Sequence, residues 1–135
     1  VIVLDESIHG YELVAQITGW YAGTVISINR LRPATVVKDD GIVTLLQAAN
    51  DPTFVTINVK DFWRQCRADK RYCVICLLLE QQRALEISPM LRTTLALPEF
   101  RTKAARMGRV ILVRPSRIEY YGTDRQICHL PWSPD

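Results

Sequence analysis

Histidine is scarce in this chain, with His9 and His129 the only two, so no histidine pair is available to complete a zinc set with cysteine. The sequence contains no G-x-G-x-x-G, no Walker-type loop and no nucleophile elbow, and Ser7 has no evident base. Dinucleotide, phosphate-loop and serine-hydrolase chemistries are therefore disfavoured. No apolar run approaches the roughly 20 residues that span a bilayer. The longest, Cys73 to Leu79, has the length of a strand and is followed at once by Glu80. The apolar start meets Asp5 and Glu6 too soon for a signal peptide. No repeat, low-complexity tract or linker interrupts the chain. These absences lead to the expectation of a cytoplasmic protein with no membrane partner.

What remains is ample for one packed domain: 135 residues, 48% of them hydrophobic. Of the four cysteines, Cys73 and Cys76 have the spacing of a redox or metal pair. They lie inside YCVICLLL, which reads as a buried strand, and residues three apart on a strand point to opposite faces. Reduced, structural cysteines are the expectation. Net charge is only +3. The bases cluster, with Arg64, Arg67, Lys70 and Arg71 in one stretch and Arg101, Lys103, Arg106 and Arg109 in another. Such clusters suit a phosphate backbone, although solvated helix faces are also commonly charged.

The pattern alternates strand and helix. VIVLD (1–5) is an apolar run closed by a carboxylate, as in a buried central strand. Tyr11 to Thr18 has helical spacing, with Gly19 as its stop. TVISI (24–28) is a second strand, and Ile42, Leu45, Leu46 and Ala49 form one stripe on a helix capped by Asp39 or Asp40. TFVTI (53–57) is a third strand, Lys60 to Arg67 a short helix and CVICLLL (73–79) a fourth strand. Leu97-Pro98 divides the helical stretch 86–107. RVILVRP and RIEYYG follow as two strands around a tight turn at Pro115-Ser116. The expected fold is α/β: a mainly parallel central sheet, helices on both faces and a C-terminal β-hairpin at the edge. The domain spans 1–122, and 123–135 reads as an irregular extension packed down by Trp132.

Ligands of open parallel sheets bind beyond the carboxyl ends of the strands, where strand order reverses. Asp5, Glu6 and Asp61 follow strands, and Asp39 and Asp40 start a helix. The helix start does not reach that edge by simple topology, so the long loop 29–38 must carry it there. Gathered carboxylates repel one another unless a cation is present, and hard oxygen ligands favour Mg²⁺ or Mn²⁺. The plain alternative is that Asp39, Asp40 and Asp61 cap helices. A carboxylate closing a wholly apolar strand, as Asp5 does, has no such routine use.

Asp5-Glu6 after VIVL, then Asp39-Asp40-Gly41-Ile42 opening a helix, then Thr56-Ile57-Asn58-Val59-Lys60-Asp61-Phe62, together resemble the PIN-like domains of the compact, toxin-like subgroup. The likeness runs over roughly 1–122 and rests on the order of the pieces. It implies a Mg²⁺- or Mn²⁺-dependent ribonuclease, the toxin of a toxin–antitoxin pair, with Asp5, Asp40 and Asp61 catalytic. Asp5, Asp39, Asp40 and Asp61 would be the metal ligands. Water held by the metal would attack the phosphodiester with a carboxylate as base. Asn58, Lys60, Arg64 and Arg67 would meet RNA. Asn58 or Val59 stands where the family has an acid, which weakens the expected metal site. A PIN-like binding module without chemistry is the alternative function. A homodimer, with an antitoxin as a further partner, is the companion expectation, its interface drawn from Trp20, Tyr21, Trp63 and Trp132.

Overall fold

The structure, a computed structural model, describes residues 1–8, 11–28, 39–79 and 85–131, without the side chains of residues 11, 39–41 and 43. Twelve elements follow one another in the described residues: β1 (Ile2–Leu4), α1 (Tyr11–Thr18), β2 (Val25–Ser27), α2 (Asp39–Ala48), β3 (Thr53–Thr56), α3 (Val59–Phe62), β4 (Cys73–Leu77), α4 (Ile87–Ala96), α5 (Lys103–Arg106), β5 (Val110–Val113), β6 (Arg117–Tyr121) and β7 (Cys128–Pro131). The strands form one sheet in the order β2-β1-β3-β4-β5-β6-β7. From β2 to β5 neighbours run parallel. Strands β6 and β7 are antiparallel additions.

The sheet is thus mixed rather than mainly parallel, and the hairpin β5–β6 is not its edge. Strand β7 covers β6 from within the stretch expected to be irregular. Its residues are largely exposed and it ends in Pro131, so it carries neither an apolar run nor clean alternation. Those are features of interior strands, and an edge strand need not have them.

Period-two alternation divides the core between two faces. Ile2, Leu4, Cys73, Ile75 and Leu77 join Leu13 and Ile17 of α1 and Ile87, Leu91 and Leu95 of α4. Val3, Phe54, Val74 and Cys76 join Ile42 and Leu46 of α2 and Phe62 of α3. Helices therefore cover both faces, as each strand buried on both sides requires. Cys73 and Cys76 fall in opposite clusters, and both are free thiols. Burial pushes the Cys73 thiol up to about 12 and moves that of Cys76 in the same direction. No helix among the described residues is long and apolar enough to cross a membrane.

The short helix expected over Lys60 to Arg67 closes after one turn. Trp63 is already extended, with φ −69° and ψ 125°, and Arg64 then takes a positive φ of 70°. The chain then returns along the α2 face, where Tyr121 donates a hydrogen bond to the Cys66 carbonyl and Tyr72 to that of Arg67. Trp20, Tyr21 and Trp63, named as interface candidates, are half-buried. Trp63 lies against Tyr121 with ring centres 5.2 Å apart and planes tilted by 51°, and Trp20 donates from Nε1 to Ser88 Oγ at 2.9 Å. Trp132 lies outside the described residues.

Candidate active site

Strand order reverses at β1, which has β2 on one side and β3 on the other. The crevice beyond the carboxyl ends of β1 and β3 is the place where such sheets accept ligands. Asp5 sits there. Its backbone N–H donates to Val55 O at 2.9 Å, extending the β1–β3 ladder by one residue, and its side chain is 5% exposed.

Two hydroxyls hold the carboxylate. Thr56, the last residue of β3, donates from Oγ1 to Asp5 Oδ2 at 2.7 Å, and Ser7 donates from Oγ to the same oxygen at 2.8 Å. Asp5 Oδ1 accepts no hydrogen bond from the described residues. Thr56 Oγ1 in turn accepts from the Asn58 backbone N–H at 2.9 Å. The Asn58 side-chain Nδ2 donates to Asp61 Oδ2 at 2.8 Å. A continuous chain of hydrogen bonds thus runs from the buried Asp5 through Thr56 and Asn58 to the exposed Asp61 on the single turn of α3. Asp61 does not cap α3, which has no side-chain cap bond.

Charge pairing separates Asp5 from Glu119 and Asp69. Glu119, equally buried at 7%, accepts from Arg114 Nε at 2.6 Å and lies 3.2 Å from Arg117 Nε. Asp69 is gripped by Arg71, whose side-chain and backbone hydrogen bonds hold its carboxyl far below the usual carboxylate range. Asp5 has no cationic partner among the described residues. An acid buried without a counter-charge is costly to the fold, and hydroxyl donors offset only part of that cost.

The remaining expected site residues divide. Lys60 is exposed beside Asp61 on α3. Arg64 and Arg67 follow the chain away from this edge: the Arg64 guanidinium lies 5.8 Å from the Tyr121 ring centre, and Arg67 precedes the Tyr72 turn into the amino end of β4. The side chains of Asp39 and Asp40, and all of His9, lie outside the described residues. The backbone of α2 nevertheless corrects one expectation. Only residues 49–52 separate α2 from the amino end of β3, and Ile42 and Leu46 pack beside Phe54. A helix of 10 residues rises about 15 Å, so α2 recrosses the sheet and begins on the carboxyl side. A crossover helix starts where its preceding strand ends, so no detour through the loop 29–38 is needed.

In the sequence Ser7 has no evident base of the kind a catalytic serine needs. Its role here is to hold a carboxylate, and its one sequence signal is its place two residues after Asp5. Among the described residues no three His, Cys, Asp or Glu side chains lie together as a metal-binding group. The oxygens of Asp5, Asp61 and the Asn58 side chain are nonetheless hard donors, the type that suits Mg²⁺ or Mn²⁺. No protein-family model matches the chain, and neither the curated proteins nor the solved structures yield a match.

Proposed function

We propose that this chain is a metal-dependent ribonuclease of the PIN-like type, acting at the carboxyl edge of β1 and β3. The observation that carries the reading is Asp5: a buried carboxylate at the switch point, held by Ser7 and Thr56, with no cation paired to it among the described residues. Asp5 and Asp61 would hold a Mg²⁺ or Mn²⁺ ion, with the Asn58 carbonyl oxygen beside them and an acid from the start of α2 completing the set. The chemistry such an ion supplies when bound is a water made nucleophilic near neutral pH and neutralisation of phosphoryl charge. The protein's own part is positional. Ser7 and Thr56 fix Asp5 through Oδ2 and leave Oδ1 without a partner among the described residues, while Asn58 orients Asp61. Lys60 is placed to attract the RNA backbone. An antitoxin partner is implied by the resemblance and belongs to the same proposal.

The test is cleavage of a labelled RNA with added Mn²⁺, compared with chelator and with Asp5→Asn. The expected result is cleavage that needs the metal and falls about 100-fold or more in the variant, the scale on which a positioned acid–base group acts. Undiminished cleavage by Asp5→Asn would remove the assignment. A second reading, a binding module without chemistry, is favoured by one observation: an amide donor, Asn58 Nδ2, occupies Asp61 Oδ2. Calorimetric titration separates the two, because a binding module shows no heat with Mn²⁺. Under the nuclease reading, Asn58→Asp tightens Mn²⁺ binding.

A further inference from the structure

At the opposite, amino edge of the sheet lies a hollow of about 290 Å³. It is open to solvent and lined by Trp20 and Tyr21 after α1, by Arg92 on α4, and by Arg101, Lys103 and Arg106 around α5. We propose that this hollow binds a nucleoside monophosphate, the phosphate on Arg106 with Arg101 and Lys103, and the base against Trp20 and Tyr21. The site lies outside the proposed nuclease site and requires no divalent ion.

Arg106 is the central observation. It is 4% exposed, and its three hydrogen bonds all go to neutral oxygens: Nε to Thr53 Oγ1 at 2.9 Å, and Nη1 to the carbonyls of Phe100 and Arg101 at 3.1 and 3.3 Å. Nη2, with two further donors, is bonded to no atom of the described residues. A buried guanidinium is ordinarily matched by a carboxylate, and Arg106 has none among the described residues. Arg106 lines the hollow together with the exposed cations Arg92, Arg101 and Lys103, and that arrangement is complementary to a phosphate. Asp51 lies 3.8 Å from Lys103 with both side chains about half exposed, a pair that a ligand anion can displace.

The aromatics argue for a ring on the ligand. Trp20 is fixed by its hydrogen bond to Ser88 and meets Tyr21 edge-on at 6.2 Å and 78°. Tyr21 lies so close over Gly23 that a Cβ there would come within 2.7 Å of its ring. Two half-buried, constrained aromatics beside four cations offer a stacking surface next to an anion site. The volume sits at the lower end of small-ligand pockets and is too small for a dinucleotide.

Isothermal titration of the whole chain with AMP, ribose 5-phosphate and inorganic phosphate tests this directly. The expectation is saturable AMP binding, weaker binding of ribose 5-phosphate, and weakening by added salt. The exposed double variant Arg101→Ala/Lys103→Ala should raise the AMP Kd about tenfold or more. Tyr21→Ala should narrow the gap between AMP and ribose 5-phosphate. A 5′-phosphorylated oligonucleotide that outcompetes AMP would identify an RNA end as the source of the group; the reverse would identify a free nucleotide. No saturable heat with AMP at millimolar concentration, equal affinity for AMP and ribose 5-phosphate, or an unchanged Kd in the folded double variant would each overturn the proposal.

Discussion

The two edges of the sheet mirror one another in charge. At the carboxyl edge Asp5 is buried and held by two hydroxyls; at the amino edge Arg106 is buried and held by a hydroxyl and two carbonyls. Neither has an oppositely charged partner among the described residues, although the fold makes such pairs elsewhere, as Glu119 with Arg114 and Arg117 shows. Glu119 uses its charge to fasten β6 to the β5–β6 turn. Asp5 and Arg106 fasten their surroundings through neutral hydrogen bonds alone. Neutral hydrogen bonds orient an ion without cancelling its charge, so each edge keeps a directed charge available to a ligand of the other sign.

The sharpest way to break the comparison is to neutralise two equally buried acids by isosteric change. Asp5→Asn should lose about 100-fold or more of Mn²⁺-dependent RNA cleavage and leave the urea midpoint nearly unchanged. Glu119→Gln should do the reverse, keeping cleavage while the midpoint falls. If both variants lost stability and neither lost activity, Asp5 would be an ordinary structural acid and the contrast between edges would fail.

Thr56→Val probes how Asp5 is held. The substitution keeps the shape but removes the donor to Asp5 Oδ2 and the acceptor of the Asn58 N–H. Leaving two polar groups short of partners in a buried setting costs about 1–3 kcal/mol, measurable by urea unfolding. Ser7→Ala, at a half-buried position with one short hydrogen bond and two long ones at 3.4 and 3.5 Å, should cost less. An equal or larger cost at Ser7 would shift the anchoring of Asp5 from β3 to its own loop.

A smaller effect follows from Glu119 itself. Burial raises its carboxyl, but the Arg114 hydrogen bond and the charges of Arg114, Arg117 and His129 more than offset that and leave it below the ordinary range. A depressed folded value contributes stability that is complete above the unfolded value and lost as pH falls through the folded one. Wild-type stability should therefore decline as pH drops below the ordinary glutamate range, with Asp69 adding to the slope. Glu119→Gln should flatten part of that decline. Both arginines are substantially exposed, so the difference is up to about 1 kcal/mol.

Much of this could be read from the sequence because the central strands are buried on both faces. An apolar run ended by Asp5 marks a strand end whatever the surroundings, and the three-residue spacing of Cys73 and Cys76 already required opposite faces. Strand β7 escaped because partly exposed edge residues carry no periodic pattern. Arg106 escaped for another reason: in the sequence it is one of four bases, and only packing separates it from Arg109, whose guanidinium lies 5.0 Å from the Tyr120 ring centre. Asp5 was legible because a charge after an apolar run is conspicuous. A charge among charges is not.

The cysteines provide the smallest effect. Cys66, Cys73 and Cys76 are buried, and burial raises the first to about 11, partly opposed by a hydrogen bond with Tyr72. Cys128 is exposed on β7. A thiol reagent attacks the thiolate and needs access, so the native chain should label once, at Cys128, and the remaining thiols only after unfolding. Cys128→Ser should remove the fast phase and change stability by less than about 0.5 kcal/mol. Because β7 pairs only with β6, the same labelling reads the stability of that edge. Slow labelling of the wild type would mean that Cys128 is covered, whereas fast labelling of a second thiol would mean that opening of the sheet extends inward past β6.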